Sequence, residues 1–445
     1  MVTDPRALVD QARMSRFQWT VVLLMIGLNA LDGFDVLSIS YASPGIAADW
    51  GIDRAALGIV LSMELVGMAF GSLLLGNVAD AIGRRKTILG CLVVMSGGMF
   101  AAATATDITT LCIYRVITGL GIGGMLASIN AAVAEAANAK RRALCVVLMS
   151  AGLPFGSVLG GLVSGELLKV YDWPAVFILG GVATACFIPL VLWLAPESIA
   201  FEMHKRGPGA LERINKTLKR MGHAAIEALP DAPAIKPKAG MALLFSPNFA
   251  ALALLLAASY FAHIITFYYI IKWIPKIVVD MGFPPPTAAG VLVWASIGGA
   301  LGALTLGLMT LKARVTGLTI GAMLLSTVAV IGFGQGWETL DEISIAAAVA
   351  GFFTNAPIVG LYAIVAQSFP TELRATATGF IIGVGRGGAA LAPVIAGFLF
   401  QAGWTLPTVS TILGLGATVA AIMLFLARKG IAGNSGAPPR AGATA

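Results

Sequence analysis

The fold is decided near the start of the chain, where residues 19–42 read WTVVLLMIGLNALDGFDVLSISYA. An α-helix of about 20 mostly apolar residues crosses the hydrocarbon core of a bilayer, and this run is long enough to do so. It also contains two acids, Asp32 and Asp35, near its middle. A charged side chain at that depth costs roughly 2.5–3.5 kcal/mol on insertion scales, so an intramembrane carboxylate is by default a proton or ion site.

A cleaved secretory signal is the other interpretation of an apolar run near the N-terminus. This run is too long for one, contains both acids, and lacks a convincing small-residue cleavage site followed by a soluble chain. We therefore predict that it is retained as the first membrane span.

The rest of the chain is apolar in the same way. Its 445 residues are 58% hydrophobic and only 11% charged, with a mean hydropathy of +0.88. A soluble protein of this length would have about 25% charged residues. We therefore predict an all-α membrane protein with twelve transmembrane helices in two six-helix bundles. The predicted spans are 18–42, 55–78, 86–105, 108–132, 143–169, 174–195, 248–271, 287–310, 315–336, 342–367, 375–400 and 405–427.

Lysine and arginine are distributed unequally between the two sides of this topology. With the N-terminus inside, 23 of the 29 basic residues fall in cytoplasmic segments, and two, Arg115 and Arg386, fall within spans. The four on the outer side are Arg54, Lys169, Lys272 and Lys276. An excess of basic residues inside sets orientation, so both termini are expected in the cytoplasm. The net charge of +7 therefore reports topology and argues against a nucleic-acid partner.

No pattern in the sequence indicates a metal, a cofactor or an enzyme. The cysteines lie singly within spans and form no CxxC, as expected for small apolar side chains that only fill space between helices. The three histidines are not spaced as metal ligands are. An ATP-driven pump would need G-x-x-x-x-G-K-[ST], which is missing. We find no nucleophile–base set, and a sensor would usually have a soluble output domain. A secondary transporter is the leading class, with a nontransporting receptor of the same fold as a remote alternative.

The predicted spans divide six and six around a polar segment. We expect an N-terminal bundle at 1–195, a cytoplasmic central loop at 196–246, a C-terminal bundle at 247–428 and a cytoplasmic tail at 429–445. Within the loop, residues 210–221 repeat apolar side chains at helical spacing. This pattern predicts a short amphipathic helix at the inner membrane surface.

The two halves show signs of an internal repeat. A shift of 232 residues places Ala134–Gly161 on Ala366–Pro393 without gaps. A shift of 231 places the first span on the seventh, where Asp32 meets His263. Parallel six-helix repeats are typical of transporters that work by a rocking motion.

The segment between spans 2 and 3 reads Gly76-Asn-Val-Ala-Asp80-Ala-Ile-Gly83-Arg84-Arg85-Lys86. Its glycines allow a tight turn at the helix end, and Asp80 can accept from basic groups or from a helix N-terminus. The segment resembles the G-x-x-x-D-x-x-G-R-[RK] motif of the major facilitator superfamily in position, side and spacing. In that superfamily the cluster latches the two halves in the outward-facing state. The resemblance implies a cytoplasmic latch made of Gly76, Asp80, Gly83, Arg84, Glu135 and Arg142.

The first span carries a second resemblance. Leu31-Asp32-Gly33-Phe34-Asp35 is similar to the D-G-x-D of the first helix in the aromatic acid:proton symporter family. Four further stretches also resemble that family, at residues 42–44, 115–125, 196–198 and 370–376. The resemblance implies proton-driven uptake of benzoate-type or hydroxybenzoate-type anions, with both aspartates essential.

The residues of the first two spans favour the same proton chemistry. Asp32 and Asp35 are three residues apart and therefore lie on one helix face, where two carboxylates in a low dielectric repel and one binds a proton more readily. Gly33 between them permits close helix approach or local unwinding. Permanent neutralisation of both acids by arginines is the alternative. Glu64, near the middle of span 2, either serves the proton path or pairs with an arginine.

Two arginines lie within spans and must find anions there. Arg386 lies near the midplane of span 11 among glycines, and a guanidinium binds a carboxylate through two parallel hydrogen bonds. We predict that Arg386 binds the substrate carboxylate, with a structural ion pair as the alternative. Arg115 in span 4 could face Asp35, and coupling or structure is a better role for it than direct substrate contact.

Spans 7 and 10 supply the remaining substrate-binding candidates. Tyr260, His263 and Phe267 fall on one stripe of span 7, although such aromatic stripes are more often packing or an interfacial belt. His263 is the better candidate for polar contact with substrate or proton, and Asn355 in span 10 is a weaker one. Tyr268, Tyr269 and Trp273 are expected in the outer aromatic belt.

Spans 5 and 11 each contain glycines four residues apart. Such small-residue faces allow close helix contact, and in the superfamily these two helices rock at the domain interface. The glycines are Gly152, Gly156, Gly160, Gly379, Gly383 and Gly387.

The sequence therefore predicts a monomeric, proton-coupled importer of an aromatic carboxylate in the cytoplasmic membrane of a bacterium. Its partners are the aromatic anion, protons and the lipid bilayer. Uptake of another organic anion, such as a muconate or a sugar acid, is one alternative. Proton-antiport export of metabolites or drugs is another.

Overall fold

The computed structural model describes residues 4–230 and 240–434, and these residues are almost entirely helical. Within this part of the chain, twelve segments are long and apolar enough to cross a membrane. The expected all-α class and the twelve spans are therefore confirmed, and the protein is a multi-pass membrane protein.

The helices follow the predicted spans closely at most ends. In the first half they are α1 (Pro5–Gln11), α2 (Arg16–Trp50), α3 (Arg54–Ile82), α4 (Arg84–Ala103), α5 (Ile108–Ala136), α6 (Arg142–Ser150), α7 (Gly152–Leu167), α8 (Pro174–Leu194), α9 (Ile199–Lys205) and α10 (Ala210–Met221). In the second half they are α11 (Met241–Leu244), α12 (Ala250–Asp280), α13 (Pro285–Met309), α14 (Val315–Phe333), α15 (Leu340–Ser368), α16 (Thr371–Gln401) and α17 (Leu406–Asn434). The fifth span consists of α6 and α7 together.

The chain divides into two compact units. The first comprises residues 1–50 and 63–235, and the second comprises residues 51–62 and 236–445. The start of α3 therefore groups with the second unit. Helices α9 and α10 group with the first unit, although the sequence suggested a separate central loop.

The helix packing within each unit follows the same scheme. Helix α2 packs on α7 as α12 packs on α16, and α4 packs on α5 and α8 as α14 packs on α15 and α17. This equivalence supports the internal repeat expected from the two sequence shifts.

Close contact between α2 and α7 fixes the position of the two aspartates. A Cβ placed on Gly33 would lie 1.9 Å from the Leu153 carbonyl oxygen, and one on Gly156 would lie 1.8 Å from the Ala30 carbonyl oxygen. The Ser157 hydroxyl donates to the Gly33 carbonyl at 2.9 Å. Helix α2 is continuous through this point, so Gly33 permits close approach and not local unwinding.

We expect Gly156→Ala to destabilise the protein, because the α2 backbone must move to admit a methyl group. Overpacking of a tight contact costs about 1–3 kcal/mol, so the thermal unfolding midpoint in detergent should fall. Gly97→Ala in α4 is the matched control, since a Cβ there meets no heavy atom of the described residues within 4 Å. Equal midpoints for the two variants would contradict the assigned contact.

The glycine face expected on span 11 is wrong in its details. A Cβ on Gly379 or Gly383 would meet nothing within 4 Å among the residues described. The close contacts fall instead at Gly385, against the Tyr260 ring, and at Gly388, against the Phe261 carbonyl oxygen. The face of α16 that packs on α12 therefore contains Gly385 and Gly388 and not the predicted Gly379 and Gly383. The span 5 glycines contact α2 within their own unit.

The amphipathic helix expected over residues 210–221 forms as α10, but its apolar face is covered by protein. Ile214, Leu218 and Met221 pack in one cluster with side chains of α1 and α9. Arg213 donates to both carboxylate oxygens of Glu202 on α9, at 2.8 and 2.7 Å. The apolar face of α10 is therefore covered by α1 and α9, and the location of the helix at the inner membrane surface stays a prediction.

Helix α12 extends to Asp280, nine residues beyond the predicted end of span 7. Tyr269 and Trp273 are therefore buried in the second unit and do not form an outer aromatic belt. The Tyr269 and Ser410 hydroxyls are 2.6 Å apart. Lys272, expected in an outer loop, is a fully buried residue of α12.

Candidate functional site

The first unit buries a cluster of charged side chains in its helical core. Asp32 and Asp35 come from α2, Glu64 from α3 and Arg115 from α5, and none is more than 2% exposed. Such burial is rare for charged residues unless they are paired or functional.

Arg115 is the centre of this cluster. Its guanidinium pairs with the Glu64 carboxylate and also donates to the Asp35 backbone carbonyl at 3.2 Å. The guanidinium lies over the Phe177 ring, 5.3 Å from its centroid. The proximity expected between Arg115 and α2 is present, and Glu64 pairs with an arginine, as one of its two alternatives required.

The Asp35 carboxylate lies beside this ion pair. Glu64, Arg115 and Thr184 are its polar neighbours, and its Oδ1 approaches Gly180 of α8 closely. Neither carboxylate oxygen makes a well-formed hydrogen bond within residues 4–230 and 240–434. Neutralisation by an arginine side chain, the alternative for the two aspartates, is therefore not observed for Asp35.

Asp32 lies one helical turn earlier on α2 and is 2% exposed. Cys91 of α4 is among its neighbours. One turn after Asp35, the Ser38 hydroxyl donates to the Asp35 backbone carbonyl at 2.7 Å, so this polar side chain bonds to the backbone of its own helix. The helix therefore presents two acids inside the unit without losing its regular hydrogen bonds.

The second unit places Arg386 in the middle of α16. Its side chain is partly buried and makes no hydrogen bond or ion pair with the residues that the structure describes. The ring of Tyr260 packs against the neighbouring Gly385, where a Cβ would lie 2.1 Å from the ring. An arginine without an anion at this depth is available to bind one.

Tyr362 of α15 is a residue of this region that sequence reasoning missed. Its hydroxyl is 2.9 Å from the Tyr260 hydroxyl, and the two ring centroids are 5.8 Å apart. Tyr362 is 44% exposed, whereas Tyr260 is buried. The available signal was a tyrosine about two turns before the C-terminal end of this span.

The other candidates of the second unit have structural contacts. His263 Nε2 donates to the Thr354 carbonyl at 2.7 Å, and its Nδ1 is buried without a partner in the described residues. The Asn355 amide donates to the Gly299 carbonyl at 2.8 Å. Phe267 is partly buried and packs edge-to-face on the next tyrosine. These contacts tie α12 and α15 to their neighbours and do not test a substrate role.

The predicted latch residues come together only in part. Arg84 lies 3.0 Å from the Asp80 carboxylate and 3.5 Å from the Glu135 carboxylate. Gly83 caps α4 with a φ of 106°, a conformation that favours glycine, and Gly76 lies within α3. Arg142 pairs with Asp10 of α1 and donates to the Ala134 carbonyl at 2.9 Å, so it contacts the residue next to Glu135 along the chain, but the described residues show no ion pair between Arg142 and Glu135.

Glu197 lies against the residues predicted to form the latch. Its carboxylate accepts from the Arg85 backbone N–H at 3.2 Å, and a Cβ on Gly83 would lie 2.4 Å from its Oε2. The sequence showed the Pro196-Glu197-Ser198 triplet but gave no role for the acid. Contact between segments 112 residues apart cannot be read from local spacing.

A helical membrane protein with two similarly packed units and a buried acid–arginine cluster has the architecture of a secondary transporter. Residues 24–340 match the Major Facilitator Superfamily. The chain belongs to this superfamily. It is therefore a membrane transporter and not an enzyme.

The sequence relatives are named for aromatic acids. The chain is 30% identical to a gallate transporter of Pseudomonas putida, over 95% of this chain and 94% of that protein. It is also 30% identical to the 4-hydroxybenzoate transporter PcaK of the same species, over 98% of this chain and 97% of that protein. The resemblance to the aromatic acid family of this superfamily is thereby confirmed.

Solved structures show the same fold at lower identity. The xylose transporter XylE of E. coli aligns with a TM-score of 0.71 at 18% identity, over 92% of this chain and 96% of that chain. A bacterial homologue of the human lysosomal transporter Spinster aligns with a TM-score of 0.73 at 16% identity, over 96% of this chain and all of that chain. These similarities establish the fold alone.

Proposed function

We propose that the protein imports an aromatic carboxylate together with at least one proton across the bacterial cytoplasmic membrane, as a monomer. Its sequence relatives, which include gallate, 4-hydroxybenzoate and benzoate transporters, support the aromatic acid class. The buried Asp35 carboxylate, whose oxygens make no well-formed hydrogen bond among the described residues, carries the proposal of proton coupling.

The charges of the first unit explain why this site would exchange protons. One guanidinium, that of Arg115, faces the carboxylates of Glu64 and Asp35. Glu64 forms the ion pair with this guanidinium, and a second buried carboxylate that must share the same single positive charge is costly while it is ionised. A proton on Asp35 removes this cost, and its release restores the charge. Proton binding therefore changes the energy of the whole cluster.

The second unit supplies groups that suit an aromatic anion. Arg386 presents a planar set of donors that fits a carboxylate through two parallel hydrogen bonds. Tyr260 and Tyr362 supply ring faces and hydroxyls next to it. Aromatic rings stack favourably on other rings, and a phenolic hydroxyl can bond to a ring substituent. His263, Phe267 and Asn355 remain proposed contacts.

Uptake of labelled acids into energised membrane vesicles tests the proposal. The panel contains benzoate, 4-hydroxybenzoate and gallate, with a muconate and a sugar acid as other anions. We expect accumulation of at least one aromatic acid above its equilibrium level, and loss of that accumulation when an uncoupler collapses the proton gradient. Accumulation that is indifferent to the uncoupler would contradict symport. Accumulation of only the non-aromatic acids would contradict the substrate class.

A further inference from the structure

The first unit contains a basic cavity outside the buried acid cluster. It is lined by Arg13, Met14, Trp19, Asn138, Lys140 and Arg141, and its volume is about 420 Å³. The N-terminal segment before α2 forms one wall and the connection between α5 and α6 forms the other. We call it the N-terminal basic cavity.

Backbone and amide hydrogen bonds hold the two walls together. The Asn138 side-chain amide donates to the Ala12 carbonyl at 2.8 Å, and its Oδ1 accepts from the Arg141 backbone N–H at 2.9 Å. The Ala139 N–H donates to the Asp10 carbonyl at 3.1 Å. Asn138 is only 7% exposed, so these bonds are shielded from water. The cavity therefore has a defined frame that does not depend on its cationic side chains.

The charge of the cavity is not balanced by protein. Its lining has three cations and no carboxylate. The side chains of Arg13, Lys140 and Arg141 make no ion pair within the part of the chain that the structure describes. Asp10, the acid at this end of the unit, is paired with Arg142. The Arg141 guanidinium lies 5.7 Å from the centroid of the Trp19 ring.

The cavity lies where chain segments enter the membrane. Helix α2 begins at Arg16 and the fifth span begins at Arg142, so the lining residues immediately flank two spans. Tryptophan at such a position is typical of the membrane–water interface. Basic pockets at this level, on the face that the charge distribution assigns to the cytoplasm, bind anionic headgroups. A phosphate with several oxygens can accept from three cationic groups at once.

We propose that the N-terminal basic cavity binds the phosphate headgroup of an anionic phospholipid. The headgroup phosphate lies among Arg13, Lys140 and Arg141, and the acyl chains run along the spans that begin beside the cavity. A soluble phosphate anion has the same chemistry, but it lacks the acyl chains that keep it at the interface. Binding therefore favours the lipid.

Native mass spectrometry of the full chain in a neutral detergent tests this site. The protein is titrated with phosphatidylglycerol, with phosphatidylcholine and with inorganic phosphate in separate arms. We expect phosphatidylglycerol adducts to exceed the others in the parent. In Lys140→Ala/Arg141→Ala, which removes two charges, the affinity for phosphatidylglycerol should fall by roughly tenfold or more. The charge-conserving Arg141→Lys should retain most of the binding.

Lys216→Ala/Lys219→Ala on α10 is the matched control, because both lysines are exposed and lie outside the cavity. It should bind phosphatidylglycerol as the parent does. If the double variant of the cavity does not fold, Arg13→Ala alone replaces it, with an unfolding midpoint measured in lipid-free detergent. Unchanged adducts in the cavity variants, or equal losses in the control, would overturn the proposal. Binding of inorganic phosphate that displaces the lipid would overturn it in favour of a soluble anion.

Discussion

Replacing Asp35 with asparagine is expected to abolish concentrative uptake and to leave the protein folded in the membrane. Asparagine has nearly the same shape but cannot take up or release a proton. The carboxylate it replaces is fully buried beside the Arg115–Glu64 pair and accepts no well-formed hydrogen bond in the described part of the chain. The change therefore removes a buried charge without breaking an ion pair or a well-formed hydrogen bond among the described residues, so the unfolding midpoint should not fall.

Two transport modes separate coupling from binding in this variant. Labelled substrate should no longer accumulate when a proton gradient is imposed. Exchange of labelled for unlabelled substrate across the membrane should persist, because the neutral side chain resembles the protonated state. Asp32→Asn should lose accumulation as well.

Asp172→Asn is the matched control for the Asp35 substitution. Asp172 is an exposed acid between α7 and α8, so its neutral replacement should transport as the parent does. Full accumulation in Asp35→Asn would mean that the buried carboxylate is structural. Loss of both accumulation and exchange, with the protein still folded, would assign Asp35 to binding or motion and not to coupling.

Replacing Arg386 with lysine is expected to weaken substrate binding with little change in stability. Lysine keeps the positive charge but replaces a planar fork with a point charge, so one of two parallel hydrogen bonds to a carboxylate is lost. A hydrogen bond to a charged group contributes about 1.5–3 kcal/mol, which corresponds to roughly a tenfold to hundredfold rise in KM. Alanine should raise KM further. No described acid loses a partner in either variant.

Initial rates over a range of substrate concentrations measure this effect. The rise should appear in KM before it appears in the maximal rate, since the clamp acts on the bound anion. Arg314→Lys is the control, because Arg314 is exposed at the start of α14. An unchanged KM in both Arg386→Lys and Arg386→Ala would show that the guanidinium does not contact the substrate.

Much of this fold could be predicted from local sequence patterns. Runs of apolar residues locate the spans because the bilayer requires about 20 of them for each crossing. The acids at 32 and 35 and the arginines at 115 and 386 were identifiable because charge is rare at that depth. Gly33 indicated close approach of a neighbouring helix, and the structure places α7 there.

What the sequence did not reveal depends on contacts between distant segments. The apolar face of α10 looked suited to a membrane surface, but α1 and α9 cover it. Arg142 was expected in one charge cluster with Glu135, and in the folded unit its ion-pair partner is Asp10 of α1. Helix α12 continues through residues expected in an outer loop, which buries Lys272. The spacing of residues along one helix does not identify which distant segment packs against a given side chain in the folded protein.

The most direct test of the account is the movement of protons driven by the substrate itself. Protein is reconstituted in vesicles with a pH-sensitive dye inside and no initial pH difference, and an aromatic acid is added outside. Uptake with protons should acidify the interior of parent vesicles beyond the change in protein-free vesicles, and Asp35→Asn vesicles should show only the protein-free change. Substrate entry into parent vesicles with no additional acidification, or equal acidification in the variant, would contradict a proton-coupled carrier that works through the buried aspartates.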